Sequence, residues 1–153
     1  MQDLSELFVR ATDHCEQFAE LLDQERQALL DQDMDRLGAL TRAKAPLIES
    51  LAADEKALSA QCKALGKPEN QSLTDFIRAS NAPALADHHA DFLAAAERCQ
   101  SANMHNARLI HHSQHINSSL LDLLRNQGEA SQNVYDRRGN ASRTASQRPI
   151  SRA

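Results

Sequence analysis

The chain has 153 residues, of which 41% are hydrophobic and only 3% aromatic, and it carries a formal net charge of -4. Valine and isoleucine together number seven, which argues against a β-sheet, whereas the abundant Leu, Ala, Gln, Glu and Arg favour helix. The acidic balance argues against nucleic acid and anionic membranes as main partners. The composition therefore predicts an all-α protein with one modest core.

Targeting and cysteine patterns favour a cytoplasmic protein. The opening sequence MQDLSELFVR is acidic where a signal peptide needs positive charge. No run of 18 apolar residues occurs, so we expect no membrane insertion. Cys15, Cys62 and Cys99 are odd in number and form no CxxC pair, so we expect free thiols that pack as small apolar groups.

The first predicted helix spans residues 3–30. Its apolar residues recur at steps of four and three, as in a coiled-coil seam. The seam consists of Leu4, Phe8, Ala11, Cys15, Phe18, Leu22, Glu25 and Leu29. Because Leu7, Leu21 and Leu30 widen this stripe, we expect the helix to pack against more than one neighbour.

The second predicted helix spans residues 35–65, after a turn in which Asp33 or Asp35 caps it. Its seam consists of Leu37, Leu40, Lys44, Leu47, Leu51, Asp54, Leu58, Cys62 (or Gln61) and Leu65. The periodicity resumes in phase after Pro46, so a kink is predicted there rather than a stop. Gly66 is placed to end the helix in a left-handed conformation. The two helices form an antiparallel hairpin, in which Glu25 and Lys44 are predicted to pair and to fix its register.

A short helix over residues 72–78 and a long one over residues 84–126, closing at Gly128, complete the predicted elements. The seam of the long helix reads Leu85, His89, Phe92, Ala96, Cys99, Asn103, Asn106, Ile110, Ser113, Asn117, Leu120 and Leu124. Its asparagines indicate either buried register-setting residues or a stretch without a partner helix. We thus predict a coiled-coil-like helical domain over residues 1–128 and a flexible, disordered basic tail over residues 129–153.

The long helix is predicted to overrun the hairpin. At 1.5 Å per residue it measures about 64 Å against about 45 Å for each of the other two. The surplus contains Leu120, Leu121, Leu123 and Leu124, and four leucines in so short a stretch cannot all face one internal groove. An exposed apolar end of this kind is typical of a partner-binding surface.

Histidines cluster on the same helix, and His111 and His115 have the i, i+4 spacing that can share a metal ion. The motif HHSQH lacks the glutamate of HExxH, and the neighbouring residues are Asn, Ser and Gln. We therefore favour a solvated polar face, without metal or cofactor, and keep a pH-sensitive interface as an alternative. No phosphate-binding or nucleophile motif occurs in the sequence, so no enzymatic activity is predicted.

Three sequence stretches resemble the FlgN family of flagellar type III export chaperones over roughly residues 4–139. These are LLDQERQALLDQDMDRLGALTRAKAPLIESLAADEKAL, then ANMHNARLI followed by Leu120 and Leu124, and the tail motif VYDRRGNAS. The chain departs from the expected pattern at Pro46 and in its arginine-rich tail.

The resemblance implies binding to the terminal helices of the hook–filament junction proteins FlgK and FlgL. The residues expected to bind these helices are Ile110, Asn117, Leu120, Leu121 and Leu124. It also implies docking on the export gate protein FlhA, transiently at the inner membrane, through Val134, Tyr135 and Gly139. The alternative from the residues themselves is a self-associating coiled-coil adaptor, with Leu120–Leu124 forming a homodimer.

Overall fold

The computed structural model describes the backbone of residues 1–139 and the side chains of residues 1–126. Its helices are α1 (Gln2–Asp31), α2 (Met34–Ala64), α3 (Leu73–Ala79) and α4 (Pro83–Gly139). No strand occurs in this described part of the chain, so the predicted all-α fold is confirmed. The chain divides into one unit over Met1–His111 and a second that begins at His112, and the core described below lies in the first unit.

Two local features stabilise the turn between α1 and α2, a left-handed residue and a side-chain cap. Gln32 adopts a left-handed conformation with φ 56°, and the N–H of Asp33 donates to the Ala28 carbonyl at 2.9 Å. The Asp33 carboxylate then accepts from the Arg36 N–H at 2.9 Å, which caps the first turn of α2. Of the two predicted capping residues, Asp33 and Asp35, Asp33 is therefore the one that caps α2.

Helix α2 continues through Pro46 without a break. The Ser50 hydroxyl, one turn later, donates to the Pro46 carbonyl at 3.0 Å. The helix ends as predicted: Gly66 has φ 77°, and the Lys67 N–H donates to the Cys62 carbonyl at 3.0 Å. This left-handed ending redirects the chain toward α3.

Helix α3 and the start of α4 close one end of the core. The Ser72 hydroxyl caps α3 by accepting from the Asp75 N–H at 3.1 Å. Ile77 of α3 is buried in a cluster to which all four helices contribute. The buried members of this cluster are Leu4, Phe8, Ala11, Leu58, Cys62, Ile77 and Leu85.

The first part of α4 runs parallel to α1. Asn106 Nδ2 donates to the Leu22 carbonyl at 2.8 Å, and Cys99 Sγ donates to the Cys15 carbonyl at 2.8 Å. Both pairs are 84 residues apart in the chain, and a constant separation is the signature of parallel helices. Because α2 also packs on α1 in the antiparallel sense, α1 contacts a long helix on each of two sides, as its wide apolar stripe predicted.

Glu25 joins three helices through polar contacts. Its Oε1 atom accepts from Lys44 Nζ of α2, and its Oε2 atom accepts from Asn106 Nδ2 of α4 at 2.9 Å. Glu25 and Asn106 are both buried. The predicted pairing of Glu25 with Lys44 is confirmed, and Asn106 extends it into a three-helix cluster.

Six residues predicted for the seam of α4 are exposed and so are not in it, namely Asn103, Ile110, Ser113, Asn117, Leu120 and Leu124. Asn103 and Ile110 are exposed, whereas Ala102 and Leu109, one residue earlier in each case, are partly buried. Leu85, Phe92, Cys99 and Asn106 keep the seven-residue spacing, but the second row of the stripe follows the last three of them by three residues rather than four. Residues three and four positions on lie on opposite sides of a seam residue, and only packing decides which side is buried. Of the three asparagines, Asn106 alone is buried; it sets register, while Asn103 and Asn117 face solvent.

Helix α4 ends at Gly139 and so extends past Gly128, where the sequence predicted its end. One glycine inside a helix costs only about 1 kcal/mol relative to alanine, and the helix formers Glu129, Ala130 and Gln132 follow it. The remainder of the predicted basic tail, residues 140–153, lies outside the described residues.

The three thiols behave as the apolar groups that the sequence predicted. Cys15 and Cys62 are buried, and Cys99 is partly buried. Burial, together with the neighbouring Cys99, raises the pKa of Cys15 to about 11. Burial also raises the pKa of Cys62 and of Cys99, so all three stay protonated near neutral pH.

Substitution of Lys44 by methionine is expected to destabilise the fold by about 3 kcal/mol, because it leaves Glu25 charged and poorly solvated. The Lys44 and Glu25 side chains are only 16% and 9% exposed. The measurement is the free energy of unfolding in urea.

The matched control is Arg98→Met, which breaks another ion pair between helices, the one from Arg98 Nη2 to Asp23 Oδ2 at 3.0 Å. Its side chains are 53% and 50% exposed, so we expect a loss below about 1 kcal/mol. Equal losses in the two variants would show that the buried pair of Lys44 and Glu25 stabilises the fold no more than the exposed pair does.

Acid is expected to destabilise the core through His89. The side chain is buried against Phe8, with ring centroids 5.2 Å apart, and burial lowers the pKa of His89 below its usual 6.5. The pKa of His89 is lower in the folded state than in the unfolded state, so the neutral buried ring contributes its full stabilisation above pH 6.5. This stabilisation is lost as the pH falls, by at most about 1.4 kcal/mol per pH unit.

The measurement is the free energy of unfolding at pH 7 and pH 5 for wild type and for His89→Leu. The variant should lose less stability on acidification, whereas His111→Gln, at an exposed position, should behave as wild type. An unchanged pH dependence in His89→Leu would exclude His89 as the acid-sensitive group.

Candidate protein-binding site

The leucine segment, residues 116–124 of α4, exposes an unusual amount of apolar surface. Every described residue from His111 to Asn126 is exposed. The large aliphatic side chains of the segment are Ile116 (45% exposed), Leu120 (51%), Leu121 (65%), Leu123 (59%) and Leu124 (62%). Contiguous apolar surface of this kind on a soluble helix usually marks a contact with another molecule.

Helix geometry brings the predicted binding residues to one face. At 100° per residue, Asn117, Leu120, Leu121 and Leu124 fall within an arc of about 100°. Ile116 and Leu123 extend the arc on one side. The face is therefore a continuous apolar stripe, of the width with which an amphipathic helix contacts a partner. Ile110, which lies in the first unit, is 38% exposed.

The polar residues of the segment fit a reversible contact. Ser118, Ser119, Asp122 and Arg125 are exposed on the same helix. Fully burying one leucine contributes about 1.5–3 kcal/mol, so a few leucines suffice for a specific but reversible contact. This arrangement is typical of helix-in-groove recognition.

A second apolar surface, the α2 groove, was not predicted from the sequence. It has a volume of about 690 Å³ and involves all four helices. Its apolar lining consists of Ala11, Leu51, Leu58, Cys62, Leu73 and Phe92. Leu51, Leu58 and Cys62 belong to the seam of α2 that the sequence predicted. The apolar periodicity therefore identified this face of the helix, but it did not predict that part of the face borders an open groove.

Charged residues border the α2 groove on one side. Asp54, which lines it, is only 3% exposed. Its carboxylate accepts from Arg10 Nε at 2.8 Å and pairs with His14 Nδ1 at 2.5 Å. Since Arg10 and His14 both lie on α1, these contacts fix α2 against α1 beside the groove. Asp54 is a structural residue rather than a free ligand for a partner.

The predicted export-gate residues fall at the end of α4. The backbone of Val134, Tyr135 and Gly139 lies within the helix, but their side chains lie outside the described residues. Their role is therefore still a prediction.

The histidines of α4 differ in their solvent exposure. His88 and His89 face α1, where His88 Nδ1 lies 2.6 Å from the Ser5 hydroxyl oxygen. His105, His111, His112 and His115 are exposed. Among the side chains described, no group of three or more histidines, cysteines or carboxylates has metal-binding geometry.

The described helices were also compared with the requirements for crossing a membrane. In the described part of the chain, no helix combines the length and the apolar character needed to cross a bilayer. The longest helix, α4, carries charged and polar side chains throughout, and its apolar residues form a stripe rather than a continuous run.

Comparison with known proteins places the chain in a family. The family model described as FlgN protein matches residues 1–143, which include both hairpin helices, α3, all of α4 and the whole VYDRRGNAS motif. Searches of curated proteins and of solved structures gave no match. The match confirms the resemblance expected from the sequence: the chain belongs to the FlgN family of flagellar export chaperones.

Proposed function

We propose that this protein holds the terminal helices of FlgK- and FlgL-type hook–filament junction proteins in the cytoplasm and delivers them to the export gate protein FlhA. Membership of the FlgN family supports a chaperone role in flagellar export. The observation that carries the finer proposal is the leucine segment, whose four leucines are each more than half exposed.

The substrate contact is assigned to one face of α4. Ile110, Leu120, Leu121 and Leu124 supply apolar area, and Asn117 lies within the same arc, where its amide can hydrogen-bond a substrate side chain. Filament-type proteins carry amphipathic terminal helices that self-assemble when free. A chaperone helix that covers their apolar faces prevents this until export.

Release must follow delivery, and a single exposed helical face suits that need. A contact made by a few leucines on one helix lacks the large area of an obligate interface. The substrate can therefore dissociate at the gate without unfolding the chaperone core, which lies in the unit over Met1–His111.

Gate docking is assigned to Val134, Tyr135 and Gly139 in the tail motif. A tyrosine offers a large apolar ring and a hydroxyl in one side chain, which is why tyrosine is enriched at the centres of protein interfaces. Tyr135 lies more than ten residues beyond the leucine segment in the sequence. This spacing assigns substrate and gate to different stretches of the chain.

The substrate contact is tested with Leu120→Asp combined with Leu124→Asp in the full-length chain. Calorimetric titration with the terminal helical segment of a FlgK-type protein should show at least a 100-fold loss of affinity, since two leucines contribute about 3 kcal/mol or more when buried. Helicity should not change, because both side chains are exposed.

The matched control is Ile48→Asp combined with Met104→Asp. Both positions carry exposed aliphatic side chains, at 53% and 49%, outside the leucine segment, so the affinity should stay at the wild-type value. Equal loss in the two double variants would point to a general charge effect. Wild-type affinity in the leucine variant would place the substrate surface elsewhere, and failure of the unmodified chain to bind would contradict this substrate assignment.

Tyr135→Ala should separate the two contacts. We expect binding to the cytoplasmic domain of FlhA to weaken roughly 30-fold or more, the effect of losing an interface tyrosine worth about 2 kcal/mol. Affinity for the FlgK-type segment should be unchanged, and Tyr135→Phe, which keeps the ring, should retain most of the gate affinity. A Tyr135→Ala chain that binds both partners normally would remove Tyr135 from the docking site.

A further inference from the structure

Two of the three free cysteines face each other across the contact between α1 and α4. Cys15 of α1 and Cys99 of α4 are 84 residues apart in the chain. The same separation joins Leu22 to Asn106, so the two cysteines occupy equivalent positions of these parallel helices. The Cys99 Sγ atom donates to the Cys15 carbonyl at 2.8 Å, and the two thiols also interact with each other. The two sulfur atoms are therefore neighbours in the folded chain.

The third cysteine lies elsewhere in the core and serves as an internal control. Cys62 of α2 belongs to the buried cluster that contains Leu4 and Phe8, and Phe8 precedes Cys15 by about two helical turns. The charged group that acts on the Cys62 thiol is the Lys67 ammonium. Its exposed fraction of 6% matches the 5% of Cys15. Cys62 is thus a thiol of equal burial that faces neither of the other two.

The geometry of the Cys15–Cys99 pair suits a disulfide. Such a bond requires two cysteines that lie side by side, with α-carbon atoms roughly 4.4–6.8 Å apart. Two parallel helices meet this requirement at positions that face each other directly. The Cys99 sulfur already lies against the Cys15 backbone. A rotation about the Cα–Cβ bond of Cys99 turns this sulfur from the Cys15 carbonyl toward the Cys15 sulfur.

The two thiols differ in their access to solvent. Cys15 is buried, whereas Cys99 is only partly buried. A hollow of about 330 Å³ lies between α1 and α4, and its lining consists of Thr12, Glu16, Asp91, Ala94, Ala95 and Arg98. Ala95 and Arg98 are within about one helical turn of Cys99. A small oxidant therefore reaches Cys99 before it reaches Cys15.

We propose that Cys15 and Cys99 form a reversible disulfide that cross-links α1 to α4 when a disulfide oxidant such as oxidised glutathione is in excess. The Cys99 thiolate attacks one sulfur of the oxidant and displaces a first glutathione thiolate, which leaves a mixed disulfide on Cys99. The Cys15 thiolate then attacks the Cys99 sulfur, and the bond between Cys99 and the second glutathione breaks. Two cysteine thiols lose two electrons and two protons, and one oxidised glutathione becomes two reduced ones.

Burial makes this reaction slow at neutral pH. It raises the pKa of Cys99 above its usual 9.0 and, together with the neighbouring thiol, the pKa of Cys15 to about 11. Few thiolates are therefore present at pH 7, and the thiolate is the form that attacks a disulfide. The pair responds to sustained oxidation rather than to a brief exposure.

The cross-link belongs to the core and is independent of the proposed function. Both cysteines lie in the unit over Met1–His111, whereas the leucine segment lies in the unit that begins at His112. The tests below use no substrate and no gate protein. Failure of the disulfide would leave the substrate assignment as it stands, and failure of the substrate assignment would leave the disulfide as it stands.

The primary test incubates the full-length chain with excess oxidised glutathione at pH 8 and then blocks the free thiols with a maleimide in denaturant. Mass spectrometry should find one blocked thiol of the three, and a cross-linked pair of peptides that contain Cys15 and Cys99. Dithiothreitol should make all three thiols available again. Three free thiols after prolonged oxidation, or a glutathione that stays on Cys99, overturns the proposal.

Oxidation in urea shows whether the folded chain selects this pair. When the chain is unfolded, Cys62 should enter most of the bonds, because the loops from Cys62 to Cys15 and from Cys62 to Cys99 are the shorter ones and close more readily. When it is folded, the bond between Cys15 and Cys99 should exceed the other two by at least tenfold. The same mixture under both conditions would show that the bond forms only after unfolding, which overturns the proposal.

Single variants assign the two steps. Cys15→Ala should stop at a mixed disulfide on Cys99, and Cys99→Ala should keep Cys15 free of glutathione, since Cys15 is buried. Cys62→Ala is the matched control and should form the bond at the wild-type rate. If Cys99→Ala gains glutathione on Cys15 as fast as the wild type forms the bond, the proposed order of attack is overturned.

Unfolding in urea measures the effect of the cross-link on the core, with Cys62→Ala as the chain that keeps only the reacting pair. The unfolding equilibrium constant should be at least about 100-fold smaller for the oxidised chain than for the reduced chain, because a bond between residues so far apart in sequence restricts the unfolded state. An oxidised chain that is no more stable than the reduced one would show that the bond distorts the helix contact, and the cross-link in the native core is then overturned.

The pH dependence of the rate tests the thiolate route. Bond formation should accelerate about tenfold per pH unit between pH 7 and pH 9, since the thiolate fraction rises in this proportion below the pKa. The measurement is the loss of free thiol with time in Cys62→Ala under excess oxidised glutathione. Equal rates at pH 7 and pH 9 would overturn the proposed attack by the Cys99 thiolate.

Discussion

The structure depends on the two-sided burial of α1. A helix with one narrow apolar stripe can pack against only one neighbouring helix. The buried residues of α1, in contrast, contact α2 on one side and α4 on the other. Leu4, Phe8 and Leu22 are almost completely inaccessible to solvent. With so few aromatic residues available, this shared helix is what gives a 153-residue chain a usable core.

Polar contacts then select one arrangement among the many that an apolar stripe allows. Leucine and alanine seams pack almost equally well after a shift of one turn, because they are repetitive. Glu25 removes that freedom, since it accepts hydrogen bonds from Lys44 and Asn106 on two different helices. Asp54 acts similarly with Arg10 and His14 nearer the opposite end of the hairpin. These buried carboxylates define register more than they add stability.

Helix α4 divides into a part that belongs to the core and a part that is exposed. Its first part contributes Leu85, His89 and Asn106 to the core, whereas the leucine segment keeps its aliphatic side chains exposed. Membership of the FlgN family supports a chaperone role in flagellar export, and this exposed segment is the surface that we propose for the substrate. The α2 groove adds a second apolar surface, which is concave and is lined by residues of all four helices.

The sequence by itself determined the helical class, the hairpin turn at Asp33, the end of α2 at Gly66 and the pairing of Glu25 with Lys44. These depend on local propensity, on capping and on distance from a turn, all of which are encoded over short stretches. Tertiary structure alone decided that Asn106 is buried while Asn103 and Asn117 are not, because residues three and four positions after a seam residue lie on opposite sides of it and only the packing of neighbouring helices decides which side is buried. Tertiary structure also determined that the α2 groove is present. An open space between helices depends on how far apart the helices pack, and the residue pattern of a single helix does not predict that distance.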